Sequence, residues 1–243
     1  MEKRKMTKLV VANWKLNPLG LKEAISLAKR TDLKNAIICP PFIFIEEVGK
    51  TIKRAKLGAQ DAFWANIGAY TGEVSIDQLK RLKVKYIIVG HSERRKELEE
   101  TDAMINLKIK TAVREKVTPI LCIGESKSIY KKGIKATENH LKKQLTKDLS
   151  GVKKRSKLIV AYEPIWEIGS KRADTPQRSI KMVGFIRETL DKLGHRGVKI
   201  LYGGSVHGDN ANIFLDEKNI DGVLVGGASL KPHDFRKIVD EAK

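Results

Sequence analysis

Three side chains of this chain have the types and placements that move a proton next to a carbonyl. Glu163 ends the apolar run Leu158-Ile159-Val160-Ala161-Tyr162. Such a run reads as a buried parallel strand, and a carboxylate at its carboxyl end faces the region where α/β proteins build sites. His91 ends a second run inside Gly90-His91-Ser92-Glu93-Arg94-Arg95, just before a helix-like stretch beginning at Ser92. A helix N-terminus disfavours positive charge, so an imidazole there tends to be neutral and can donate to a carbonyl oxygen. Lys15 follows a third run, in Ala12-Asn13-Trp14-Lys15-Leu16-Asn17. Its ammonium can reach a central mouth, and the Asn13 amide can donate to a ligand oxygen. A base, a neutral donor and a fixed cation are what proton abstraction beside a carbonyl requires. Each residue also has a plain structural alternative: a solvated glutamate, a backbone-bonded histidine, an exposed lysine.

Two glycine pairs add an anion site. Tyr202-Gly203-Gly204-Ser205-Val206 and Val225-Gly226-Gly227-Ala228-Ser229-Leu230 end later runs. Paired glycines let backbone N–H groups approach an anion unobstructed. Between the sites, Pro164, Trp166, Ile168 and Gly169 form a loop whose large apolar residues need something to cover, so it reads as a lid.

These residues must be positioned by repeating units. Eight short apolar runs end near Asn13, Pro40, Asp61, Gly90, Cys122, Tyr162, Tyr202 and Val225, in steps of 21 to 40 residues. Steps of that size fit successive βα units with parallel strands. Ser75 with Gln78 forms a capping box, and Thr175-Pro176 supplies an N-cap followed by Pro at the first helical position. No linker divides the chain. The expected fold is an α/β single-domain (β/α)8 TIM barrel covering residues 1–243, with an open doubly wound sheet as the alternative.

Composition bounds the rest. The chain has 243 residues, of which 41% are hydrophobic. No apolar run approaches a membrane span, and the charged N-terminus leads into too few apolar residues for a signal peptide. Cys39 and Cys122 lie in strand-like runs and read as reduced thiols, so a cytoplasmic location is expected. Lys and Arg number 48 against 29 Asp and Glu, a formal charge of +19. The cations scatter over expected helices, densest in residues 131 to 157. They read as solvated faces, with anion steering as the alternative. Nucleic acid is the least supported partner, because only 6% of residues are aromatic.

Taken together, Ala-Asn-Trp-Lys-Leu-Asn, Cys-Pro-Pro-Phe, Gly-Ala-Tyr-Thr-Gly-Glu-Val-Ser, Gly-His-Ser-Glu-Arg-Arg, Pro-Ile-Leu-Cys-Ile-Gly-Glu, Ala-Tyr-Glu-Pro-Ile-Trp, Tyr-Gly-Gly-Ser-Val and Val-Gly-Gly-Ala-Ser-Leu resemble the triosephosphate isomerase family in order and spacing. The resemblance implies interconversion of dihydroxyacetone phosphate and glyceraldehyde 3-phosphate through an enediolate, a step of glycolysis and gluconeogenesis, with no cofactor or metal. It implies that Glu163 is the base, His91 the electrophile, Lys15 the stabilising cation and Asn13 a substrate ligand. The general pairing of glutamate and neutral histidine is a known pattern of this family. Backbone N–H groups of Gly169, Ser205, Gly226 and Gly227 would hold phosphate. Trp166 and Ile168 would belong to the lid, Glu125 would receive Trp166, and Tyr202 would latch the lid. Thr71 would tip the loop that inserts into a second copy, implying a homodimer. The lid departs from the family's usual Trp-Ala-Ile-Gly-Thr-Gly-Lys: Glu167 replaces Ala and Lys171 replaces Gly, while Asp174 stands where an Ala is usual.

Overall fold

The computed structural model describes residues 7–167 and 176–243. Eight strands, β1 (Leu9–Asn13), β2 (Ala36–Cys39), β3 (Lys56–Ala59), β4 (Tyr86–Val89), β5 (Thr118–Ile123), β6 (Ile159–Tyr162), β7 (Lys199–Tyr202) and β8 (Gly222–Val225), close in sequence order. Every neighbouring pair is parallel, and β8 returns to β1 through Leu9 opposite Gly222. The expected (β/α)8 barrel is therefore the fold, and the open sheet is excluded. The strand ends read from sequence fall within two residues of those observed.

The sequence runs are continuously apolar because both faces of each strand are covered. One set of side chains points inward: Val11, Ile37, Cys39, Ile88, Ile120, Cys122, Ile159, Ala161, Leu201 and Leu224 fill the barrel. The alternate set, including Val10, Ile38, Val89, Leu121, Val160, Ile200 and Val223, packs under the helices. This two-period alternation fixes register, because a one-residue slip would exchange the two layers. The filled interior makes the barrel a core with its chemistry confined to the rims.

Helix signals hold where they can be seen. Ser75 accepts from the Gln78 N–H while Gln78 accepts from the Ser75 N–H, capping helix Ile76–Arg81. Pro176 opens helix Pro176–Lys192; Thr175 lies outside the described residues. No described helix is long and apolar enough to cross a membrane. Cys39 and Cys122 are buried free thiols, and burial raises both well above the ordinary thiol range.

Candidate active site

At the carboxyl ends of the strands lies a cavity of about 630 Å³. Asn13, Lys15, His91, Glu163, Ser205, Gly226 and Gly227 line it together with Gly203 and Gly204. Residues from β1, β4, β6, β7 and β8, far apart in sequence, thus share one space.

Glu163 is 1% exposed. One carboxylate oxygen lies 3.2 Å from His91 Nε2, and the other accepts from the Ser92 backbone N–H at 3.1 Å. Ser92 is the first residue of helix Ser92–Glu97, so the carboxylate rests at that helix's positive end. The His91 ring carries its own assignment of protons. Its Nδ1 accepts from the Glu93 backbone N–H at 3.2 Å. With Nδ1 accepting, Nε2 is the nitrogen left to donate, directed at Glu163.

The approach of Glu163 to this position depends on a glycine. A Cβ on Gly124 would lie 1.7 Å from the Glu163 carbonyl oxygen, so only glycine lets the β5 end pass beneath β6. The backbone N–H of Glu163 donates to Ile123 O at 2.8 Å, fixing that crossing.

Lys15 occupies the left-handed region with φ 52°. The conformation is held on both sides. Its N–H donates to Asn13 Oδ1 at 3.0 Å, and its carbonyl accepts from Gln60 Nε2 at 2.9 Å. Gln60 donates also to Cys39 O, joining β1, β2 and β3. The Lys15 ammonium lies 2.5 Å from Glu93, in a pair half open to water. Such a pair is weak, so the ammonium remains available to an incoming anion.

Gly227–Leu230 makes a short 3-10 turn after β8. Ser229 is buried and its hydroxyl donates to Gly226 O at 2.7 Å, pinning the turn. Asn210 Nδ2 donates to Ser205 O at 2.9 Å and steadies the loop after β7.

The stem of the expected lid rests on two buried carboxylates. Glu125 is fully buried and accepts from Trp166 Nε1 at 3.1 Å and from the Tyr162 hydroxyl at 3.2 Å. Burial raises the Glu125 carboxyl above its ordinary value, and the Trp166 bond opposes that rise. Trp166 also packs on Tyr130, ring centroids 4.0 Å apart. Glu167 is likewise fully buried and accepts from the Tyr202 hydroxyl at 2.5 Å. Ile168, Gly169, Lys171 and Asp174 lie outside the described residues. Thr71 stands in an exposed loop, residues 66–73.

Some of this escaped sequence reasoning. Gln60, Gly124, the Lys15–Glu93 pair and the Glu167–Tyr202 bond join separate elements, and no local spacing marks them. Gly124 carried the only signal, a glycine directly after a strand. Arg94 reaches Asp61 at 2.9 Å and Glu100 at 3.3 Å, and Glu93 turns to Lys15.

The family model of triosephosphate isomerase matches residues 8–242. The chain belongs to the triosephosphate isomerase family. It is similar to the triosephosphate isomerase of Dictyoglomus thermophilum, 41% identical over 96% of this chain and 98% of the relative. Those of Caldanaerobacter subterraneus subsp. tengcongensis and Trichodesmium erythraeum are each 40% identical, over 96% and 97% of this chain and 98% and 99% of the relative. Among the described residues no group of three or more His, Cys, Asp or Glu is arranged to hold a metal.

Proposed function

We propose that this chain interconverts dihydroxyacetone phosphate and D-glyceraldehyde 3-phosphate on one domain spanning residues 1–243, in glycolysis and gluconeogenesis. The observation that carries the reading is the contact of the buried Glu163 carboxylate with His91 Nε2 inside a cavity of suitable size. Glu163 is the base that removes a proton from one carbon and returns it to the next. His91 Nε2 donates to the substrate oxygens as negative charge develops on them. In the resting site these two groups satisfy each other, so the triose must enter between them and part them. Lys15 stabilises the enediolate, and Asn13 orients both Lys15 and substrate oxygens.

Phosphate binds to backbone N–H groups of Ser205, Gly226 and Gly227, with Gly169 supplied by the lid. The absence of a Cβ at Gly227, where open space surrounds the Cβ position, leaves room for phosphate oxygens. Lid closure over the enediolate excludes water and limits loss of phosphate. Trp166 and Ile168 belong to that lid, with Glu125 receiving Trp166. Tyr202 serves as the latch, and its hydroxyl donates to Glu167. No cofactor is needed, since the substrate carbonyl takes up the electron pair.

The active form is a homodimer of cytoplasmic location. Leu16, Ile43 and Ile67 are each at least 80% exposed on loops after β1, β2 and β3. Apolar residues so exposed on neighbouring loops suit a partner surface. Thr71 lies in the last of these loops and would brace the partner's site.

A coupled assay of triose phosphate interconversion tests the reading, with Glu163→Gln beside the wild type. Abstraction by a positioned base contributes about 10²–10⁴-fold, so the variant loses rate on that order. Equal turnover in the two proteins would remove Glu163 as the base. No turnover in the wild type would remove the function.

A further inference from the structure

The opposite rim carries a second feature. Lys34, Lys56, Lys85, Lys116, Lys157 and Lys199 stand within two residues of the first residue of β2 through β7, and all are exposed. Successive parallel strands begin on the same rim, so the closed barrel gathers these six cations into an arc. Among the described residues none of them pairs with a carboxylate. They stand on strand entries, separate from the helix faces on which most lysines of the sequence fall.

The arc deepens into a pocket at β6 and β7. A cavity of about 380 Å³ has Leu9, Tyr86 and Ile159 on its floor and Arg155, Lys157, Arg196 and Lys199 at its rim. A second cavity of about 320 Å³ shares Arg155 and Lys157 and adds Lys116, Lys153 and Lys154. Among the described residues no carboxylate lines either one. Like charges in so small a volume repel one another and destabilise the fold unless something neutralises them.

The backbone points the same way. Lys83, Lys116 and Arg155 hold left-handed φ values of 66°, 61° and 59° in turns leading into β4, β5 and β6. A residue with a Cβ costs roughly 1–2 kcal/mol in that conformation, where glycine costs little. The turn before β7 does use glycine, at Gly194 and Gly197. The Arg155 turn is fastened by Ser156, whose N–H and hydroxyl both donate to Lys153 O, at 3.2 and 2.6 Å.

We propose that this pocket on the N-terminal rim binds a compact anion carrying two or more phosphate groups, at a site separate from the catalytic mouth. Phosphates would sit against Arg155, Lys157, Arg196 and Lys199, guanidinium groups gripping in bidentate fashion. The apolar floor would take whatever organic body the anion carries. The volume lies within the range of small-molecule sites, about 300–1,000 Å³. An extended single strand of nucleic acid would need stacking platforms, and Tyr86 is the one aromatic residue in either lining.

Calorimetric titration of the whole protein at near-physiological ionic strength, about 0.15 M, tests this with tripolyphosphate and with ATP as separate probes. The fourfold variant Arg155→Ser/Lys157→Ser/Arg196→Ser/Lys199→Ser is compared with a control that replaces Lys29, Lys142, Lys143 and Lys181 by Ser. Expected is at least a tenfold weaker affinity in the first variant, little change in the control, and an unchanged kcat in both. Tighter binding of ATP would place its base on the apolar floor; equal binding would show that phosphates alone are recognised. The proposal falls if neither probe binds, or if the control loses as much as the pocket variant. It falls also if Lys15→Ala, and not the pocket variant, abolishes binding, which would move the anion to the catalytic mouth. A single-stranded oligoribonucleotide that binds more tightly than both probes would overturn the choice of a compact ligand.

Discussion

The two rims of the barrel handle charge in opposite ways. At the carboxyl rim, Lys15 faces Glu93, Arg94 faces Asp61 and Glu100, and Glu163 rests on an imidazole and a backbone N–H. At the amino rim, Arg155, Lys157, Arg196 and Lys199 share a cavity that no described carboxylate lines. The carboxylates near that arc are turned to other partners: Asp32 accepts from the backbone N–H groups of Lys53, Arg54 and Ala55, Asp221 from the Ile200 N–H and Arg187, and Glu115 pairs with Lys80 and Arg114. One rim spends its charged groups on placing atoms to within hydrogen-bond distance. The other concentrates a single sign over a broad surface. Geometry of the first kind suits a reaction, whereas a field of the second kind suits capture of an anion. The formal charge of +19 is therefore distributed unevenly in space although it looks scattered along the chain.

The contrast can be strained most at the carboxyl rim. His91→Ala should lower kcat by about 10²–10³-fold, the usual cost of removing one donor to a developing oxyanion. The melting temperature should move little, since the ring's bonds are to Glu163 and one backbone N–H. Steady-state kinetics with a melting curve on the same sample separates the two effects.

A structural prediction follows beneath the same rim. Lys108 is 2% exposed and bonds both oxygens of Asp61, at 2.7 and 2.9 Å, and also bonds Glu100. Burial raises the Asp61 carboxyl above its ordinary value, and the Lys108 charge opposes that rise. Lys108→Ala should destabilise the fold by about 3–5 kcal/mol, because it strands buried carboxylates. Urea unfolding measures this; a loss below about 1 kcal/mol, the size of an exposed pair, would show the cluster to be wet.

Glu167→Ala comes next. It removes the acceptor of the Tyr202 hydroxyl and should cost about 2 kcal/mol of stability. A shift in kcat or KM would come with it if the bond competes with lid closure. Unchanged kinetics would confine Glu167 to packing.

The smallest effect is expected at the amino rim. Burial acts to raise the Asp32 carboxyl, but the three backbone N–H bonds prevail and hold it below its ordinary value of 3.8. A carboxyl with a depressed folded-state value stabilises the protein above that ordinary value and ceases to do so as pH falls through the depressed one. Asp32→Asn should therefore cost about 1 kcal/mol at neutral pH, and progressively less as pH falls below 3.8 and through the depressed value. A gap that persisted at low pH would mean the bonds do not depend on the negative charge. It would also mean that Asp32 contributes by shape alone.

The barrel was legible because its strands are covered on both faces and so form continuous apolar runs, as in Ile87-Ile88-Val89 and Val223-Leu224-Val225. The candidate cavity was legible at strand ends, where a charged or polar residue interrupts such a run: Asn13, His91 and Glu163. What supports those residues was hidden. Gln60 reaches Lys15 across 45 positions, and Gly124 matters only because the β6 backbone passes 1.7 Å from its absent Cβ. Glu167 read as an awkward lid substitution, yet it is buried against a tyrosine 35 positions away. The cationic arc was hidden for a related reason. One lysine at each strand entry forms no run in sequence, and only closure of the barrel brings them together.

A crystal structure with a phosphorylated three-carbon substrate analogue tests the central claim most directly. The account predicts phosphate against Gly226, Gly227 and Ser205, the carbon chain between Glu163 and His91 Nε2, and their 3.2 Å contact opened. An analogue bound elsewhere in the cavity, with that contact intact, would contradict it.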